Sequence, residues 1–243
     1  MTNELINIDK NKLIAKHIGI IMDGNRRWAK SKGLKKIEGH KKGAENAKNI
    51  IKAAIECHIK NLTLFAFSSE NWKRESDEIN DLMSLLRYFL KHELKNLIKS
   101  GIKLNILGDL SSFPEDIKEY MEESVSLSKN NNKINLIIAI NYGSRQEITN
   151  TFKKLAYDIK NNKIKVNDIT EAKISQTLYT SSIPDPDLII RTGGDCRLSN
   201  FLLWQSAYSE LMFVKKAWPD FTKNDFLLAI SEFYRRDRRF GGC

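Results

Sequence analysis

The feature that most constrains this chain is an alternation. Short, nearly continuous apolar runs are separated by stretches with helical periodicity. Ile18 to Met22, Leu62 to Phe67, Ile134 to Ile140, Leu188 to Ile190 and Leu211 to Val214 read as strands, and Ile102, Leu104 and Ile106 alternate as one more. Between them, Ala44, Ala47, Ile50, Ile51, Ala54 and Ile55 recur at helical spacing. Ser76, with Asp77 and Glu78 behind it, predicts the N-cap of a long helix that carries Ile79, Leu82, Met83, Leu86, Leu90, Leu94 and Leu97 on one face and closes near Gly101. Pro114 suits the first turn of another helix, Arg145 to Ile159 predicts a further one, and Thr222 with Asp225 begins the last in capping-box style. Strand and helix in succession imply an α/β fold with a central, mostly parallel six-stranded sheet flanked by helices. No Gly/Ser- or Pro-rich linker and no repeat divides the chain, so one domain over residues 1–243 is expected, with 1–16 as a flexible N-terminal segment.

In parallel α/β sheets, ligands bind beyond the carboxyl ends of the strands. Polar clusters fall there. The first run breaks at Asp23 into Gly24, Asn25, Arg26, Arg27 and Trp28; the second ends in Ser68, Ser69, Glu70, Asn71 and Trp72; the central one in Asn141, Tyr142 and Gly143; the fifth in Arg191, Thr192, Gly193 and Gly194. A carboxylate can hold a divalent metal, Gly24 lets backbone approach a ligand, and guanidiniums take phosphate oxygens in bidentate fashion. Arg191, Arg197 and Ser199 flank Gly193-Gly194 ahead of a helix-like run, Phe201 to Trp204, and make a cradle for a second phosphate group. Taken singly, each segment also reads as an ordinary strand end or turn; together they imply a site for two phosphorylated substrates.

Lys and Arg total 40 against 30 Asp and Glu, a formal charge of +10 that favours anionic partners. Much of it is local: Arg26, Arg27, Lys30, Lys32, Lys35, Lys36, Lys41 and Lys42 follow Asp23, and Arg235, Arg236, Arg238 and Arg239 crowd the C-terminus. Cys57, Cys196 and Cys243 are too few and too far apart for a disulfide framework or a CxxC metal site, which fits a reducing cytoplasm. No run reaches the ~18 apolar residues a spanning helix needs. A cytoplasmic protein, at most peripheral at a membrane, is expected. Asp185-Pro186-Asp187 reads as a turn, and His17, His58 and His92 as structural or exposed.

The segments MDGNRRWA, GHKKG, FAFSSENWKR, NYGSR, IRTGGDCRLSNFLLWQ, YSEL and the closing RRFGG stand in the order and spacing of the cis-prenyltransferases. From His17 to Gly242 the chain resembles that family, its bacterial undecaprenyl diphosphate synthases in particular. The resemblance implies a cis-prenyltransferase fold with an apolar tunnel. It also implies condensation of isopentenyl diphosphate with an allylic diphosphate, farnesyl diphosphate by default. The product would be a long-chain cis-polyprenyl diphosphate such as undecaprenyl diphosphate, the lipid carrier precursor of cell-wall polysaccharide. Asp23 would bring Mg2+ to the allylic diphosphate. Gly24, Asn25, Arg26, Arg27, Lys36 and His40 would surround that group, and Trp28 would line the same pocket. Ser68, Ser69, Glu70, Asn71, Trp72 and Arg74 match the segment that positions the reacting groups, with Asn71 at the proton-handling step. Arg191, Arg197, Leu198 and Ser199 match the isopentenyl diphosphate pocket. Glu210 matches a metal-contacting glutamate supplied by the neighbouring subunit, so a homodimer is implied. Ala66, Phe89, Ile134 and the Ile79 to Leu97 stripe would line the tunnel. Lys36, Cys196 and Arg26 depart from residues common in the family, and Lys36 loses the bidentate fork of arginine.

Two other classes use similar residues. A basic nucleic-acid binder fits the charge but lacks an aromatic RNA-binding signature or zinc spacing, so no nucleic-acid partner is expected. A Mg2+-dependent phosphohydrolase fits the polar loops but needs neither the long apolar stripe nor a second phosphate pocket.

Overall fold

The structure, a computed structural model, describes residues 15–237. The closing RRFGG, with Arg238 and Arg239, Cys243, and residues 1–14 of the expected flexible segment lie outside the described residues. Ala15 and Lys16 of that segment are held in place: Ala15 is buried, and its N–H donates to the Tyr234 hydroxyl, while Lys16 N–H donates to Asp187.

Six strands form one sheet: β1 His17–Ile21, β2 Asn61–Ser68, β3 Ile102–Leu107, β4 Ile134–Tyr142, β5 Leu188–Arg191 and β6 Glu210–Phe213. Every pairing is parallel, in the order β3-β4-β2-β1-β5-β6, so the mostly parallel expectation becomes an all-parallel sheet. Parallel strands buried on both faces read as unbroken apolar runs, which is why these were visible in sequence. The helices are α1 Asn25–Ser31, α2 Lys36–Glu56, α3 Ser76–Tyr88, α4 Lys95–Lys99, α5 Glu115–Ser128, α6 Ser144–Lys160, α7 Glu171–Thr177 and α8 Lys223–Arg235. Among the described residues no helix is long and apolar enough to cross a membrane.

Several expected boundaries shift. Ser76 is the first residue of α3 and Glu75 takes the cap position; Pro114 likewise stands at the cap of α5 rather than in its first turn. The expected single helix from Ser76 towards Gly101 is α3 and α4 joined by a π-helical turn at Phe89–Leu94. Phe201 to Trp204 is not helical: Leu202 has φ 45°, and the buried Phe201 ring stacks on Phe65 at 4.7 Å. The Thr222–Asp225 capping box at α8 is present, with Asp225 accepting from the Thr222 N–H at 2.7 Å.

β1 lies between β2 and β5: the chain lays β2, β3 and β4 on one side of it and then crosses to lay β5 and β6 on the other. This is the topological switch point at which open α/β sheets bind ligands. Two irregularities in the β2·β4 pairing shape that end. Phe65 pairs with Ala139 and Phe67 with Ile140, which leaves Ala66 as an extra, exposed residue; Ser68 then pairs with Tyr142, which makes Asn141 the compensating extra on β4. Bulges of this kind re-aim side chains beside functional sites.

Candidate active site

Asp23 follows β1 and Arg191 closes β5, so neighbouring strands deliver a carboxylate and a guanidinium to one point. Arg191 is buried; its Nη2 donates to Asp23 Oδ2 at 2.8 Å, and its Nη1 to Ser199 Oγ at 2.6 Å and to the Arg197 carbonyl. Asp23 Oδ1 accepts from the Gly24 N–H at 2.6 Å, and Arg27 Nη2 lies 3.4 Å from Oδ2. Burial works to raise the Asp23 carboxyl, but Arg191, the Gly24 amide and Arg27 outweigh it and hold the group below the usual carboxylate range. Asp195 bridges Arg27 at 3.2 Å and Arg197 at 2.6 Å. Gly24 has φ 103°, and a Cβ there would lie 2.8 Å from Ala217 Cβ, so the tight turn out of β1 requires glycine.

A second charged cluster stands beside the first. Glu78, at the start of α3, has a side chain only 5 % exposed, with Arg74 at 2.8 Å, Lys36 at 3.5 Å, Arg26 at 3.7 Å and His40 at 3.9 Å. Burial first, and the neighbouring Arg74 second, lower His40 to about 4, so the imidazole is neutral near pH 7. Its Nε2 and Asn25 Oδ1 are buried without hydrogen-bond partners. Unpaired polar atoms at the wall of a cleft are groups that a ligand can satisfy.

The charged side chains of both clusters, apart from Glu78, line a cleft of 1530 Å³ on the carboxyl rim of the sheet. Of the residues expected from sequence, it gathers Asp23, Gly24, Asn25, Arg26, Arg27, Lys36, His40, Ser68, Glu70, Asn71, Arg74, Arg191, Arg197, Leu198 and Ser199. Trp28, Ser69, Trp72 and Glu210 are not in its lining. The Trp28 Nε1 is buried without a partner. The Trp72 ring packs against Phe67 and Phe113, and its Nε1 donates to Asn141 Oδ1 at 2.9 Å, so it anchors the Ser69–Lys73 turn from below. Glu210 opens β6, level with Leu188 and therefore at the opposite end of the sheet from Asp23, where it accepts from Arg236 Nη1 at 2.8 Å. Asn71 Oδ1 accepts from Ser68 N–H at 3.1 Å. Its carbonyl is thus engaged within the turn, and what it can offer a ligand is N–H.

Residues that sequence reasoning missed include Glu78, Asp195, Asn200 and Glu147. Glu147 is fully buried on α6 and accepts from the Tyr142 hydroxyl at 2.6 Å, Gln205 Nε2 at 3.1 Å and the Tyr179 N–H at 2.9 Å. It thereby fastens the loop that follows Ser199. Burial pushes the Glu147 carboxyl up against these bonds.

The cleft floor opens onto an apolar cavity of 160 Å³ between α2, α3 and the sheet, lined by Ala44, Ala47, Leu64, Leu86, Phe89 and Ile140 among others. Ala66 borders both spaces. Ile79, Leu94, Leu97 and Ile134, expected in the tunnel wall, do not line this cavity; Leu94, Leu97 and Ile134 are buried in the core.

Fold and site together define a class: α/β proteins with a cation-rich cleft at the sheet's switch point and an apolar cavity in the layer beneath. The family model described as "Putative undecaprenyl diphosphate synthase" matches residues 21–241. Isoprenyl transferases of Agrobacterium fabrum and Thermotoga maritima are each 48 % identical to the chain, over 228 and 229 residues, covering 94 % of it and 92 % and 97 % of those proteins. Among solved structures, lavandulyl diphosphate synthase from Lavandula x intermedia, in complex with dimethylallyl diphosphate, superposes with TM-score 0.92 at 38 % identity, covering 94 % of this chain and 98 % of that one. A probable undecaprenyl diphosphate synthase from Campylobacter jejuni superposes with TM-score 0.78 at 34 % identity over 93 % and 98 %. The chain belongs to the undecaprenyl diphosphate synthase family of isoprenyl transferases.

Proposed function

We propose that the protein condenses isopentenyl diphosphate with an allylic diphosphate, farnesyl diphosphate by default, to a long-chain cis-polyprenyl diphosphate such as undecaprenyl diphosphate. The observation that supports this is the placement of Asp23 among Arg27, Arg191 and Asp195 in a cleft that shares lining residues, Met22, Asn25 and Ala66 among them, with an apolar cavity. Arg26, Lys36, His40 and Arg74 would receive the allylic diphosphate, and Arg191, Arg197 and Ser199 the isopentenyl diphosphate.

Mg2+ is typically held by one or two carboxylates plus substrate phosphates rather than by a cage of protein ligands. Asp23, held below the usual carboxylate range beside groups suited to phosphate, fits that mode. When bound there, Mg2+ would supply charge stabilisation to the departing diphosphate. Arg26 and Arg27 would share that task as the allylic carbon–oxygen bond breaks and its electron pair leaves with the diphosphate. The terminal carbon of the isopentenyl double bond then bonds to the allylic carbon. A proton then passes from the carbon next to the resulting cationic centre to a diphosphate oxygen, which sets the new double bond, with cis geometry dictated by how the two substrates are held. Asn71 would orient a diphosphate oxygen through its N–H2, since an amide is barely basic. Glu210, remote from Asp23 within one chain, would act in the site of a second copy in a homodimer; a single-chain species in sedimentation that is fully active would remove that role. Contact with a membrane for release of the apolar product is part of the same reading.

The test is incubation with Mg2+, farnesyl diphosphate and labelled isopentenyl diphosphate, with products resolved by chain length. A polyprenyl ladder reduced roughly 10³-fold in Asp23→Ala is expected. No incorporation with several primers, or phosphate release from isopentenyl diphosphate alone, would overturn the reading in favour of a hydrolase.

A further inference from the structure

Three rim segments meet at Asn200. Its Nδ2 donates to Glu70 Oε1 on the Ser69–Lys73 turn at 2.8 Å. Its Oδ1 accepts from the Arg145 N–H at 2.9 Å, and its carbonyl from the Ser144 N–H at 2.9 Å, both at the start of α6. Its neighbour Ser199 takes the Arg191 guanidinium at 2.6 Å. Ser199, Asn200 and Leu202, on either side of Phe201, hold φ of 49°, 65° and 45°, left-handed values that asparagine tolerates but that serine and leucine adopt only where the surroundings enforce them. The fit is close: a Cβ at Gly143 would lie 2.5 Å from Ser69 Oγ and 2.7 Å from Asn200 Nδ2. The strained loop therefore carries, on consecutive residues, a ligand-facing hydroxyl and an amide that holds the turn bearing Asn71.

We infer that Asn200 is a positioning residue that couples the two substrate positions: filling the Arg191–Arg197–Ser199 pocket orders the Ser69–Lys73 turn through the Asn200–Glu70 hydrogen bond. The inference rests on the isopentenyl diphosphate assignment proposed above. A diphosphate drawn to Arg191 and Ser199 fixes the backbone at 199, and residue 200 passes that restraint to Glu70. Chemistry is thereby favoured when both substrates are present, because Asn71 is set in place by the arrival of the second.

Asn200→Gly retains access to positive φ and removes the side-chain amide, while Glu70→Ala removes the acceptor on the turn. Amide hydrogen exchange across residues 69–74, with and without isopentenyl diphosphate, reads the coupling independently of turnover. The ligand is expected to slow exchange there in the wild type and not in Asn200→Gly, whose affinity for isopentenyl diphosphate stays within about threefold while kcat falls about tenfold. The double variant should be no slower than the worse single one, since each single variant already removes the Asn200–Glu70 bond. Persistence of ligand-induced protection in Asn200→Gly, or losses that add in the double variant, overturns the inference. If Asn200→Gly fails to fold, Asn200→Asp decides by the same exchange measurement, because it keeps the Oδ1 acceptor and loses the donor. Absence of prenyl transfer by the wild-type protein would instead count against the proposed function.

Discussion

Glu78 gathers cations that the sequence scatters over two helices and a turn. It does not line the cleft; it stands behind Arg26, Lys36 and Arg74 and aims them at one spot. Glu78→Gln keeps the volume but leaves those cations without their shared counterion. The expected result is a rise of roughly tenfold in KM for the allylic diphosphate with kcat within about threefold. Steady-state kinetics with varied primer checks it, and a fall in kcat at constant KM would sink it. Asp23, Arg27, Arg191, Arg197 and Ser199 could be found from sequence because each follows an apolar run that reads as a strand, and parallel topology puts those ends on one rim. Glu78 reads in sequence as a helix first-turn acid, and nothing local reveals the cations that surround it. Trp28 and Trp72 sit inside the right motifs, yet neither lines the cleft, because the direction of a side chain within a turn is set by packing partners such as Phe67 and Phe113.

At the scale of elements, the bulge in β2 and the π turn after α3 matter most. The apolar run Leu62 to Phe67 reads as a strand, and the extra residue at Ala66 becomes visible only against its partner β4. The apolar stripe continues through the π turn without a break in spacing, so sequence merges α3 and α4 into one helix. Such turns inside helices frequently mark functional sites. The cavity they border, at 160 Å³, is close to the ~150 Å³ that holds one benzene, so it takes about one five-carbon unit as it stands. For the long products of the proposed function, the wall formed by α3 and Phe89 would have to move away from the sheet. Ala66→Leu adds three carbons at the mouth of that cavity, and the expected outcome is a shorter maximum product with initial incorporation retained. An unchanged ladder on extraction and chromatography would remove Ala66 from the path of the chain.

For the molecule as a whole, the parallel sheet and its helical cover were legible because buried parallel strands carry an unmistakable apolar signature. The strand order was not, since it depends on which crossover packs on which face. Two buried imidazoles tie this assembly to pH. His17 spans β1 and β2 through Thr63 Oγ1 at 2.7 Å and reaches the Pro184 carbonyl at 2.6 Å; burial lowers it to about 4, as it does His40. Between pH 6.5 and about 4 the unfolded chain binds protons that the folded one refuses, so stability falls as pH falls through that window, by up to about 1.4 kcal/mol per histidine per pH unit. Urea midpoints measured from pH 7 to 4.5 should show the decline, and His17→Gln should flatten it; an equal slope in the variant would refute the assignment. The bulge at Ala66 has one further consequence. Under the proposed function, the cleft and the apolar cavity share only Met22, Asn25, His40, Phe65, Ala66 and Leu82, so leaving-group chemistry and product length would be largely separable traits. Substitutions along α3 and the π turn can retune the ruler while the machinery around Asp23 is inherited intact, so one scaffold can diversify its products without reinventing its reaction.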